Sequence, residues 1–443
     1  MTFPTAFWPR WQRRYRQLVM EHLSPAQQLA AGLRAIPSSA QPFASTQAAW
    51  RFYKNPRIRL PNLMSPLLAR GKEAVTSECN RFVLVMHDWS HLHFGAHTSK
   101  EDRIALANRS DLGYELQSAL LVSDRTGETL APVSISVEAA DGVHCSRSWA
   151  VRKPRSQLDE LQPVMDFVNK QKLARPAVHI IDSESDSVAH YRSWSAAGHL
   201  FLVRADVCRV VLHEGQMRRL SEIRDLLWQR GAFRRVREVD CKGKRGVQWI
   251  AEVTVTLTRK AAPQRKDGQP RRQIAGAPLT LRLVLSCIRG ANGEEIATWY
   301  LLSNVPVKIE AAEIALWYYW RWRIESYFKL LKSAGQQLEH WQQATAEAVA
   351  RRLLVASMAC VVVWQLACDP APEAAELRQL LIRLSGRQMR HGTSFSMPAL
   401  LAGMWLLLSM LSVLEEYDVD HLRQLAQQVL GNARAGPPAS TKV

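Results

Sequence analysis

Cysteine is sparse and scattered in this chain. Its seven cysteines (Cys79, Cys145, Cys208, Cys241, Cys287, Cys360 and Cys368) stand far apart, are odd in number and include no Cys-x-x-Cys pair. A disulfide framework and a zinc ribbon are therefore not expected, and a reducing, cytoplasmic setting is. The opening stretch, MTFPTAFWPRWQRRYRQ, places basic and aromatic residues where a signal peptide needs an apolar run, so secretion is not expected. No internal repeat is visible. Long hydrophobic runs are short supply too. LLVASMACVVVWQLAC from Leu353 and ALLAGMWLLLSMLSVL from Ala399 both fall below the roughly 18 to 20 apolar residues a membrane span needs. Both are predicted to be buried helices of an all-helical end domain, and no membrane partner is expected. Acidic residues are outnumbered: 58 lysines and arginines face 40 aspartates and glutamates, a net charge of +18. That surplus favours a polyanion, because phosphates neutralise it with release of counterions, although a merely soluble basic protein carries such charge as well. Fifteen tryptophans tilt the balance toward nucleic acid, since aromatics beside basic residues suit stacking on bases.

With 443 residues, 47% of them apolar, the chain can build two or three domains with sizeable cores. Residues 10 to 75 read as short helices with a Pro/Ser loop at IPSSAQPF. The strand RFVLVMHD follows, then LQSALLVS and APVSISVEA with the turn SDRTGE between them. A helical segment, RSQLDELQPVMDFVNKQKL, leads to the strands AVHIID and HLFLVRAD. Strands, then helix, then strand predict a mixed α/β core. From 207 to 300 the alternating segments WIAEVTVTLTRKAA, LTLRLVLSCIRG and TWYLLSNVPV read as a β-rich insertion, with the basic turn QRKDGQPRR between the first two. The expected organisation is helical over 1–75, core over 76–206, insertion over 207–300, the rest of the core over 301–345, and helical again over 346–430. A disordered tail is expected over 431–443.

Two buried strands end in aspartate, at Asp88 in VLVMHD and Asp182 in VHIID. One such end is most simply a turn former. Two of them, with a helix-borne glutamate in so basic a chain, point further. That glutamate is Glu325, in the crowded stretch YYWRWRIESYFKLLKSAG from Tyr318. Three carboxylates brought together repel unless hard cations lie between them, and oxygen ligands of this kind suit magnesium or manganese. Two such ions can activate an attacking oxygen and stabilise a leaving one at phosphorus. At about 100° per residue, Tyr318, Arg321, Glu325 and Lys332 fall within roughly a 60° arc of one helix face. Trp317, Trp320, Ile324, Phe328 and Leu331 form a neighbouring apolar stripe suited to packing on a sheet. The arrangement lets Glu325 face metal while Arg321 and Lys332 grip phosphates; the plainer alternative is an amphipathic helix with i, i+4 ion pairs.

Other residues are open to rival readings. His87, His91, His93 and His97 in HDWSHLHFGAH have a spacing compatible with zinc, but no cysteine or glutamate completes a set, and contact with DNA or solvent is the simpler expectation. The basic run from Arg259 to Arg272 reads equally as a solvated loop or as a phosphate-contacting hairpin tip.

Tyr318-x2-Arg321-x3-Glu325-x6-Lys332 resembles the Y-R-E-K signature of bacterial cut-and-paste insertion-sequence transposases, the DDE class with a ribonuclease-H-like core. AAWRFYKNPRI (Ala48 to Ile58) resembles the end of that family's N-terminal DNA-binding domain, IIDSESD its second-aspartate motif, and FLVRAD its following strand with an arginine, here Arg204. TWYLLSNVPV resembles the strand whose tryptophan, here Trp299, stacks on a flipped base. The likeness covers roughly residues 25 to 370 and is weakest in the β-rich part. Trp89 and Ser90 stand where the family commonly has threonines, and Ser183 where it usually has arginine.

The resemblance implies a DNA transposase. Asp88, Asp182 and Glu325 would hold two Mg²⁺ ions, with Mn²⁺ able to substitute, and Lys332 would complete the catalytic set. Tyr318, Arg321, Trp299, Arg204, Arg51 and Lys54 would contact DNA. The partners implied are double-stranded DNA, as terminal inverted repeats and as target, and a second copy of the chain in a synaptic complex, with residues 346–430 a possible dimerisation region. The implied steps are a nick at the element's end, hairpin formation by the freed 3′-hydroxyl, hairpin opening and strand transfer. Alternatives are a catalytically silent DNA-binding relative or inhibitor, and a core acting on RNA.

Overall fold

The computed structural model describes residues 9–22, 42–153, 156–241, 243–260, 275–389 and 392–434. Helices α1 (Pro9–His22), α2 (Pro42–Lys54) and α3 (Leu60–Glu78) come first. Strands β1 (Val83–His93), β2 (Ile104–Ala105), β3 (Leu112–Ser123), β4 (Thr129–Ala139) and β5 (Gly142–Cys145) follow. Next are α4 (Leu161–Lys170), β6 (Ala177–Ile181), α5 (Val188–Ala196) and β7 (Leu200–Arg204). The β-rich stretch holds β8 (Val210–His213), β9 (Gln216–Arg219), α6 (Leu220–Gln229), β10 (Arg234–Cys241), β11 (Lys244–Leu257), β12 (Leu279–Arg289) and β13 (Glu295–Ser303). The chain then turns helical with α7 (Ala311–Tyr319), α8 (Trp322–Leu331), α9 (Ala346–Cys368), α10 (Pro372–Ser385), α11 (Met397–Glu416) and α12 (Val419–Arg434).

The fold is mixed α/β, built on a large mixed sheet with helices against it. From one edge the order is β5-β4-β3-β1-β6-β7. β1, β3 and β4 are antiparallel, whereas β1 pairs parallel with β6 and β6 with β7. The apolar start of β1, Val83 to Met86, is buried on both faces, as expected for a strand covered by helices on either side. Leu84 and Met86 belong with the helical residues Ile314, Ile324 and Leu353, while Val83 and Val85 face Val164 and Val168 of α4. The β3–β4 turn falls where SDRTGE predicts it. Gly127 there has φ +70°, and a Cβ would lie 2.4 Å from the Trp320 ring, so both conformation and space require glycine.

The stretch expected as an insertion does not form a separate layer. β13 pairs antiparallel with β7, and β12, β11, β8 and β9 continue outward from it, so these strands widen the core sheet. The sequence boundary near residue 75 is likewise no gap in packing: Tyr15, Phe52, Tyr53 and Leu63 of the N-terminal helices share one core with Leu353 and Leu354 of α9. Arg351 fastens them, donating from Nε to the Ile58 carbonyl at 2.7 Å and from Nη1 to that of Tyr53 at 2.9 Å.

The two apolar C-terminal runs part company. α9 is buried nearly throughout, as expected. α11 is not: Met410, Leu411 and Leu414 are exposed, and among the described residues this one helix is long and apolar enough to cross a membrane. Its sequence pattern is apolar all round, so nothing in it distinguishes a covered helix from an uncovered one. α12 runs to Arg434, into the stretch expected to be disordered. Most of IPSSAQPF, the QRKDGQPRR turn and residues 435–443 lie outside the described residues.

A candidate active site of three carboxylates

The sheet register places the two aspartates. Met86 of β1 lies opposite Ile180 of the parallel β6, so two residues on Asp88 and Asp182 stand level on adjacent strands and face the same side. That side is the one α7 and α8 cover, since Leu84, Met86, Val178 and Ile180 all pack with Ile314 and Ile324. Asp182 leaves the sheet as the cap of a short 3₁₀ turn, accepting the Ser183 backbone N–H at 2.6 Å. One strand further, Ile181 opposes Val203, which brings Arg204 level with Asp182.

The helix bearing Glu325 is not continuous. α7 ends at Tyr319 and α8 begins at Trp322, with tight i to i+3 bonds from Arg321 to Tyr318 and from Arg323 to Trp320 across the break. The expected apolar stripe does pack inward: Trp317, Ile324, Phe328 and Leu331 are buried and Trp320 is partly so. Lys332, expected on the Glu325 face, caps α8 with non-helical angles.

The break carries Arg321 into the space between the carboxylates. Its Nη1 donates to Asp88 Oδ2 at 3.0 Å and its Nη2 to Glu325 Oε1 at 2.7 Å, and the same Nη2 forms an ion pair with Asp182 Oδ2 at 2.9 Å. Only 7% of Arg321 is exposed. The sequence places this arginine on phosphate; in the structure it joins all three acids. Arg204 adds a second cation on Asp182 alone, through Nε at 2.8 Å, while its Nη2 donates to Ser183 Oγ at 2.9 Å. Tyr318 donates to Asp182 Oδ1 at 3.3 Å. Three carboxylates thus meet two guanidinium groups, and acid is in excess. The titration reflects burial first and the neighbouring acids second. Burial pushes Asp88 up to about 6, Arg321 counters it, and Glu325 and Asp182 add to the rise. Burial also raises Glu325, with Arg321 opposing. Burial pulls Arg321 down, but Asp182, Tyr318, Asp88 and Glu325 outweigh it and hold the guanidinium charged.

The other expected site residues fall into three places. Lys332 lies beside the cluster, its Nζ 3.1 Å from Glu339 and 3.4 Å from Ser90 Oγ. Glu339 also accepts the His93 backbone N–H, a role no spacing in the sequence signals. Trp299 on β13 is 7% exposed and meets Tyr318 edge-on, with ring centres 5.2 Å apart. Arg51 and Lys54 lie on the exposed side of α2, with Lys54 Nζ 4.7 Å from the Trp50 ring, while Phe52 and Tyr53 are buried. The four histidines do not converge. His87 is buried and bonded to His179 at 2.8 Å, contrary to its expected place near DNA or solvent, because its strand position faces the α4 side. His93 bonds Asp111 instead.

Among the described residues no group of three or more acids, histidines or cysteines is arranged to hold a metal ion as it stands. The donor set of the cluster nevertheless suits hard cations: three carboxylates converge on one shared positive charge, and two of them meet on a single nitrogen, Nη2. All seven cysteines are free. No model of a known protein family matches the chain, and no curated protein does.

Proposed function

We propose that the chain is a DDE transposase with a ribonuclease-H-like core, which cleaves transposon ends and joins them to target DNA. One observation carries this reading: Asp88, Asp182 and Glu325, from β1, the end of β6 and α8, converge on Arg321 although they are far apart in sequence. Three antiparallel strands extended by two parallel ones, with acids level on adjacent parallel strands, suit such a core. The net charge of +18 suits a DNA partner.

Asp88, Asp182 and Glu325 would hold the divalent cations, Mg²⁺ or Mn²⁺, which when bound supply an activated oxygen nucleophile and a stabilised leaving group at phosphorus. The protein's own groups do the rest. Arg321 neutralises the acids and is the group that must yield as cations enter. Arg204, oriented by Ser183, stays beside Asp182 and is available to a phosphate. Lys332, fixed between Glu339 and Ser90, supplies a second phosphate contact. Tyr318 steadies Asp182.

An ion cluster of this kind also suits a silent DNA-binding relative, in which Arg321 stays on the acids permanently. Incubating the protein with the DNA that flanks its gene, with and without Mg²⁺, separates the two. Cation-dependent nicks at inverted repeats support the transposase; repeat binding without any cleavage supports the silent relative.

A further inference from the structure

We propose that Trp149 is a stacking platform for an unpaired DNA base, an inference that rests on the proposed action on DNA. Trp149 is 69% exposed, against 49% for Trp322 and 43% for Trp50, whereas Trp299 is buried. A single exposed apolar residue is ordinary on a protein surface, so exposure alone decides nothing. The setting does. The Arg59 guanidinium lies 5.9 Å from the ring centre, and a cleft of about 140 Å³ opens between Trp149, Arg59, Leu60, His144 and Glu347. Arg59 is exposed, so the ring and this cation face solvent together. An aromatic face beside arginine cations is the chemistry that holds a nucleobase and its phosphates together, without regard to sequence.

The loop that presents Trp149 is built, not slack. Val143 and Arg152 exchange backbone bonds across its base at 2.7 and 3.3 Å. Within it, buried Arg147 donates to Ser134 Oγ at 2.5 Å, to Ser136 Oγ at 2.9 Å and to Glu160 at 2.6 Å. A fixed ring loses little freedom when a base stacks on it.

The test compares the full-length protein with Trp149→Ala and Trp149→Phe on two labelled DNAs, one fully paired and one with a short single-stranded overhang, without divalent cations. Wild type should bind both, more weakly as salt rises. Trp149→Ala should weaken the overhang complex by about five- to a hundredfold while changing the paired duplex less than about twofold. Trp149→Phe should keep most of the overhang affinity, and the melting temperature of both variants should match wild type. Equal loss on the two DNAs, or none on either, overturns the platform and leaves the reading on DNA standing. No salt-sensitive binding of either DNA by wild type overturns both. Unchanged DNA binding with a dimer that Trp149→Ala makes monomeric overturns the platform and makes this surface an interface between copies.

Discussion

Arg321 and Arg351 are both buried, and their surroundings are opposite. Arg351 on α9 is 2% exposed, gives its guanidinium to the backbone carbonyls of Tyr53 and Ile58, and has one carboxylate, Glu347, at 2.5 Å. Burial pulls its pKa down. It is a fastener between N- and C-terminal helices. Arg321 bonds no backbone carbonyl of another element; its partners are three acids, and they raise its pKa against burial. A fastener needs one partner set that fits. Three carboxylates around one guanidinium exceed what holding a helix requires, and such excess belongs where further cations are to arrive.

The largest expected effect separates chemistry from stability. Asp88→Ala, Asp182→Ala and Glu325→Ala should each cut Mg²⁺-dependent strand cleavage by about a thousandfold or more, since a metal site is worth several kcal/mol of charge stabilisation. Binding to DNA ends, measured by gel shift, should hold. Full cleavage by any one variant removes that residue from the site.

Arg351→Leu should do the reverse. It strips partners from two backbone carbonyls and from Glu347, a loss of about 3 kcal/mol in a denaturant titration. Cleavage per folded molecule should stay near wild type. Loss of cleavage in protein that remains folded would erase the distinction between the two arginines.

Acid titration of the metal-free protein sharpens it further. Burial holds His87 and His179 neutral, with His87 down to about 3, so the unfolded chain takes up protons first and stability falls as pH drops below about 6.5. Asp88, raised from 3.8 to about 6, works the other way: the folded protein binds its proton first, which adds stability as pH falls from 6 toward 3.8. Asp88→Asn should therefore steepen the acid loss across that window, by about 3 kcal/mol at most. Parallel curves for variant and wild type would show that burial and its neighbours do not hold Asp88 above its ordinary value.

The smallest effects lie far from the acids. Arg51→Ala and Lys54→Ala should each lower end affinity severalfold and reduce the salt slope by about 1, with cleavage of bound DNA and the melting temperature unchanged.

Much of this arrangement was legible in the sequence. VHIID read as a buried strand ending in an acid, and β6 does close at Ile181; VLVMHD read the same way, but β1 runs on to His93, so Asp88 lies within the strand. The period of Trp317, Ile324, Phe328 and Leu331 showed which face of the glutamate helix packs inward. What escaped was non-local. The pairing of β7 with β13 joins segments separated by the whole β-rich stretch, and no local pattern announces it. The 100° rule assumes an unbroken helix, so it could not show the break that swings Arg321 from phosphate to carboxylate. A basic residue beside three acids pairs with them when no other cation competes, and spacing is silent on that competition. Trp299 and Trp149 are each one letter in a row; their opposite burial is decided by Tyr318 against one and by an edge loop under the other.

The central claim is that the three acids form a cation site in which Arg321 is a replaceable occupant. Calorimetric titration of the metal-free protein with Mn²⁺ addresses it directly, using wild type, Arg321→Met and Asp182→Asn. Wild type should bind Mn²⁺ saturably, Arg321→Met about tenfold more tightly because the competing charge is gone, and Asp182→Asn much more weakly. Mn²⁺ heats that are absent from wild type and Arg321→Met alike would contradict the claim and leave the cluster as a structural ion network.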